Sequence, residues 1–185
     1  MERTIDATTT VHAARGRAIN VLSQDPGTVL TDHRTPEDRA ARRFTTALTV
    51  ELGAGAAVQQ TVEIEVDLPH TDDDTRAFVM PLRWRATGHK RLFPTFTGVL
   101  ELTSDRRGTR VDLRGSYHVP MGVAGRFGDG VAGRRLARAS VIAFLGQIAE
   151  RLDREVVRRL DGHPYQPETY PVAVHEPHHS EIYVG

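Results

Sequence analysis

The chain has 185 residues, 39% of them hydrophobic and 26% charged, with 24 basic residues set against 24 acidic ones. One domain fits that length; zero cysteines exclude disulfides, thiolate metal sites and a cysteine nucleophile, and zero formal charge argues against generic nucleic-acid binding. No run reaches the ~20 apolar residues of a membrane-spanning helix, and the start from Met1 to Asp6 lacks a signal-peptide core, so a soluble, cytoplasmic protein is expected.

Residues 4–13, rich in Thr, Val and Ile, predict a first strand. Two short helices are expected within residues 14–43. The first carries Ala18, Ile19, Val21 and Leu22 and ends at the turn Asp25-Pro26-Gly27. The second opens at Thr35-Pro36-Glu37-Asp38, where a hydroxyl cap, a first-turn proline and two acids suit a helix N-terminus. From Phe44 the period becomes two. Phe44, Thr46, Leu48, Val50 and Leu52 share one face up to Gly53-Ala54-Gly55, and Val58, Gln60, Val62, Ile64, Val66 and Leu68 share the next. Pro69 to Asp74 reads as a solvated hairpin tip; its three adjacent carboxylates lack the spacers of a metal loop. Met80, Leu82, Trp84 and Ala86 alternate with Pro81, Arg83 and Arg85. Gly88 and Pro94 bracket a turn with His89, Lys90 and Arg91. Phe96, Gly98, Leu100 and Leu102 form another face, Ser104 to Gly108 a hairpin, and Val111, Leu113, Gly115 and Tyr117 the last. These five consecutive strands after an earlier one predict a long antiparallel meander.

Pro120 stops the sheet, and a stretch with Gly122, Gly125, Gly128, Gly130 and Gly133 follows. It has no G-x-G-x-x-G and no Lys-Ser/Thr, so it is no phosphate loop; it suits close packing or a gate. A helix of some 30 residues then runs to about Leu160, with Leu136, Val141, Leu145, Ile148, Leu152 and Val156 as its apolar stripe, widened by Ala137, Ile142, Phe144 and Ala149. At ~1.5 Å per residue it spans ~45 Å, and it can be buried only diagonally across a curved sheet. Asp161-Gly162-His163-Pro164 ends it. The division expected is a domain over 1–162 and a proline- and histidine-rich extended tail over 163–185, without basic residues.

This order of elements, with Leu82-Arg83-Trp84-Arg85 leading to Leu92-Phe93-Pro94, and Gly115-Ser116-Tyr117 running through Pro120 into the helix, resembles the START-like, polyketide cyclase/dehydrase (SRPBCC) superfamily. Actinobacterial members of no settled function are the nearest in kind. The resemblance covers residues 4–160 and implies an α+β helix-grip fold. In it, a curved antiparallel sheet of six or seven strands wraps around a long C-terminal helix, with a cavity between the two. It carries over no catalytic residue. Strand parity gives that cavity a lining of Trp84, Phe96, Leu100, Leu113 and Tyr117 from the sheet and Leu145 and Ile148 from the helix. It is apolar, with an indole N–H and a phenolic hydroxyl as polar handles. Leu48, Val62, Ile64 and Leu152 extend it.

Catalytic groups are harder to find. Glu63, Glu65, Asp67 and Asp112 fall on outward faces and read as solvated; His118 also points outward, and no nucleophile elbow or Ser-His-Asp set can be assembled. His175-Glu176-Pro177-His178-His179 lacks the rigid shell a metal site requires. From Met121 to Leu160 eight arginines mix with four acids, without the interleaved aromatics that stack bases. The expectation is therefore a binder of a small apolar or amphipathic molecule, without cofactor or metal, without nucleic-acid partner, and with a homodimer open through Tyr165, Tyr170 and Tyr183. A cyclase- or dehydratase-like enzyme using Tyr117 is the alternative, and a ligand-free interaction protein the second.

Overall fold

Alternating apolar and polar residues become seven antiparallel strands, and the 3.6-residue stripe becomes one long helix. The computed structural model describes residues 2–31, 40–53, 56–87, 95–118 and 130–161, without the side chains of 2–3, 52–53, 56, 130–134 and 161. Its elements are β1 (Glu2–Val11), α1 (Arg15–Gln24), α2 (Gly27–Leu30), β2 (Arg43–Gly53), β3 (Ala56–Val66), β4 (His70–Thr71), β5 (Phe78–Ala86), β6 (Thr95–Asp105), β7 (Gly108–His118) and α3 (Gly130–Asp161). The sheet order is β1-β7-β6-β5-β3-β2, with β4 paired to β5 outside that path. The meander is therefore as expected, and the first strand closes it beside the last.

Both edge strands, β1 and β2, pack against α3. Six strands at a spacing of ~4.8 Å span ~24 Å when flat, more than twice the ~10 Å diameter of a helix. Both edges lie nearer to α3 than the central strands β3, β5 and β6 do, so the sheet curls around the helix. The α+β helix-grip architecture is thus a consequence of the pairing and of where α3 lies.

Polar side chains on and near α3 fasten this closure. Gln147 Nε2 donates to Ala47 O of β2 at 3.2 Å. Arg151 reaches Thr46 Oγ1 and Val29 O, each at 3.3 Å, and Thr31 Oγ1 donates to Thr45 O. These donors cover part of the β2 edge, which would otherwise offer unpaired carbonyls to another chain. At the other edge, Asp153 Oδ1 accepts the Ala13 amide at 2.9 Å and Oδ2 accepts that of His12 at 3.1 Å. One continuous apolar cluster runs from Val11 and Leu22 through the sheet to Val156.

Several expectations need correction. Asp25-Pro26-Gly27 ends α1 but leads at once into α2, because Pro26 O accepts the amides of Val29 and Leu30. The segment after Leu68 contains the short strand β4, whose hairpin tip has the Asp72 carboxylate bonded to Thr75 N and Oγ1, both at 2.7 Å. Those bonds, the hydroxyl's foremost, lower the Asp72 pKa. Leu68 lies past the end of β3 and is 74% exposed, while Val58 is only partly covered. Ile142 is exposed and not part of the α3 stripe. Arg151, one of the eight arginines counted from Met121 to Leu160, is half-buried against α2 and β2. Asp112 does point outward, yet it is 5% exposed, because Arg110 Nε lies 3.0 Å from its Oδ2 on the same strand face. The helix start at Thr35, the turn with His89, Lys90 and Arg91, the glycines 122, 125 and 128 and the tail 163–185 fall outside the described residues.

Candidate functional site

Register places the expected lining in rows across the concave face. Ile64, Trp84, Phe96 and Tyr117 pair in succession across β3, β5, β6 and β7. The next inward row is Leu82, Gly98, Gly115 and Ile5, and the one beyond is Met80, Leu100, Leu113 and Ala7. Leu145 and Ile148 of α3 are buried in the same apolar cluster as these rows. All seven expected site residues, Trp84, Phe96, Leu100, Leu113, Tyr117, Leu145 and Ile148, are buried in the same cluster.

The middle row is a notch. Gly98 and Gly115 stand opposite each other, and a Cβ on either would come within 2.7 Å of the tip of the Phe96 ring. Two absent side chains therefore let Phe96 lie down on the sheet. Trp84 stacks on Phe96, with ring centroids 4.1 Å apart at 14°, and Phe144 of α3 meets Trp84 at 4.7 Å and 50°. Sheet, Phe96, Trp84, Phe144 and helix form successive layers at the middle of the curl, where α3 is bridged to the sheet by rings. Phe144 was legible as a stripe residue but not as the third member of this stack, since helical periodicity gives no pairing across elements.

One polar atom in the stack is unsatisfied. Trp84 is 3% exposed and its Nε1–H has no hydrogen-bond partner among the described residues. Gln147 Oε1, one turn along α3 from Phe144, is buried without a donor among them as well. A buried orphan of this kind costs about 1–3 kcal/mol, and the great majority of buried polar groups in folded proteins are paired. Among the described side chains, Tyr117 is the one ionisable group on the inward face of the sheet; Arg3, whose side chain is not among them, pairs with it in register. Among the described residues, too, no three potential ligands cluster around a metal position, and no helix is long and apolar enough to cross a membrane.

Three hollows have described linings, and all are surface features. One, of about 180 Å³, takes in Trp84 and Phe96 but is walled by Glu63, Glu65, Arg83 and Arg85 on the outward face. There Arg83 binds Glu65 through two bonds of 3.0 and 2.6 Å, which lower the pKa of Glu65 and raise that of Arg83. Arg85 binds Glu63 at 2.6 Å. The other two hollows adjoin each other between α1 and the end of α3.

No family model matches the chain, and no curated protein does. Among solved structures it is similar to an aromatase/cyclase from Streptomyces sp. R1128, with 18% identity over 86% of this chain and 96% of that one, at a TM-score of 0.48. A protein from Thermus thermophilus shows 16% identity over 84% and 99%, at 0.45. A member of the major latex protein family from Arabidopsis thaliana shows 9% over 85% and 95%, also at 0.45.

Proposed function

We propose that this protein binds a small hydrophobic or amphipathic molecule between the concave face of the sheet and α3, with Trp84, Phe96, Leu100, Leu113, Tyr117, Leu145 and Ile148 as its contacts. The observation that carries this reading is the Trp84 indole N–H, buried in an aromatic stack without an acceptor among the described residues. A ligand oxygen would satisfy that donor, and the surrounding apolar side chains would take the rest of the molecule. Access requires Phe144 to part from Trp84, a contact between helix and sheet, while the Trp84–Phe96 stack within the sheet stays. An enzymatic role as a cyclase or dehydratase has, among the described side chains, Tyr117 alone to move a proton from the inward sheet face, which favours binding over acid–base chemistry.

Trp84 is the sole tryptophan, so its fluorescence reports on this site alone. Titration with an anilinonaphthalene sulfonate dye is expected to saturate at one per chain and to quench Trp84. Trp84→Phe keeps a ring in the stack and removes the N–H. It is expected to weaken the dye roughly 3–10-fold, the worth of one hydrogen bond of about 0.5–1.5 kcal/mol. A folded protein that shows no saturable binding, or binding without any change at Trp84, would overturn the proposal.

A further inference from the structure

Phe144 has an unsatisfied polar atom on each of two neighbouring side chains. It touches the Trp84 ring, with centroids 4.7 Å apart, and the Trp84 N–H lacks an acceptor among the described residues. Gln147 follows Phe144 by three residues on α3, a spacing that sets side chains about 5–6 Å apart on one helix face. Its Oε1 is buried and lacks a donor among the described residues. The orientation of that amide is fixed. Gln147 Nε2 donates to Ala47 O of β2 at 3.2 Å, and turning the amide over would set oxygen against oxygen. Oε1 is therefore held as an acceptor that waits for a donor.

The two orphans are opposite in kind. A ketone or an ether satisfies the indole N–H and does nothing for the amide oxygen, whereas a hydroxyl group both accepts and donates. We infer that the molecule bound beneath α3 carries a hydroxyl group, and that Gln147 is the residue that selects it over the corresponding ether. This rests on the binding reading above and narrows the ligand from an apolar molecule to a hydroxylated one. Phe144 is the ring that parts from Trp84 to admit a ligand, so the space it leaves lies beside the indole and next to the helical turn that carries Gln147. A site that bonds a hydroxyl discriminates against an analogue lacking it, because its own buried polar groups are then left unpaired.

The probes are naphthol, its methyl ether and naphthalene itself, each displacing the anilinonaphthalene sulfonate dye from the full chain. Naphthol is expected to bind roughly 3–10-fold tighter than the methyl ether, the difference of one hydrogen bond. Gln147→Met is expected to remove that preference. Trp84→Phe is expected to weaken naphthol and the ether alike, since both accept from the indole, and to leave their ratio as it was. The wild-type comparison needs no variant and stands even where Gln147→Met fails to fold. Naphthol binding no tighter than the ether, or a preference that survives Gln147→Met, would overturn the inference while naphthalene binding upholds the pocket. Failure of all three probes to displace the dye would overturn the binding reading, and the inference with it.

Discussion

A methyl group at residue 98 or 115 has no room. The ideal Cβ of Gly98 falls 2.2 Å from Arg114 O, and that of Gly115 falls 2.3 Å from Thr97 O, so backbone as well as Phe96 would have to move. Gly98→Ala and Gly115→Ala are each expected to cost about 3 kcal/mol, read as a lower urea midpoint, and to disturb the Trp84 emission through Phe96. Glu155 is the opposite case, a buried charge made welcome. The Arg158 side chain, foremost, and Arg159 hold its carboxyl down from 4.5 to about 2 against the opposing effect of burial. Because the folded value is depressed, the stabilisation is complete above about pH 5 and disappears as the pH falls toward 2. Glu155→Gln should therefore lose about 1–2 kcal/mol at pH 6, and its urea midpoint should meet that of the wild type near pH 2. Neither feature was legible beforehand. Gly98 and Gly115 were assigned to the right face, but alternation does not say that two glycines will be neighbours, and Glu155 appeared only as one more charge on a helix.

At the level of elements, the strands were legible because each is buried on one side only, so the period of two is written into Phe44–Val50, Met80–Ala86 and Val111–Tyr117. The failures sit where that condition lapses. β4 is two exposed residues, too short for any period. Leu68 continues the alternation of β3 after the pairing has stopped at Val66. Asp112 obeys parity, yet a neighbouring guanidinium and flanking strands cover it, since facing outward and being wet are different properties. The link between β1 and α3 could not be read from either segment, because it joins residues 140 or more apart in the chain: Ala13 and Asp153. Asp153→Ala should release the amides of His12 and Ala13, cost about 1–2 kcal/mol in urea unfolding, and speed exchange at those two amides more than in β6.

For the whole molecule, the long amphipathic helix was the decisive sign of a curled sheet. A stripe from Ala137 to Val156 needs cover along its full length, and the edge strands provide it while the central strands stand off from the helix. What the pattern left open is how the space beneath the helix is used. Its described part is occupied by three rings in contact, and the indole N–H among them lacks a partner within the described residues. The pairing of the first strand with the last has a further bearing on how the protein comes into being. During synthesis, β1 leaves the ribosome before any of its lasting neighbours exists, and it must wait until β7 and then α3 have emerged. Over that interval its hydrogen-bonding edge is open to other nascent chains, and late closure of so distant a contact makes folding slow by comparison with a helical bundle of equal size.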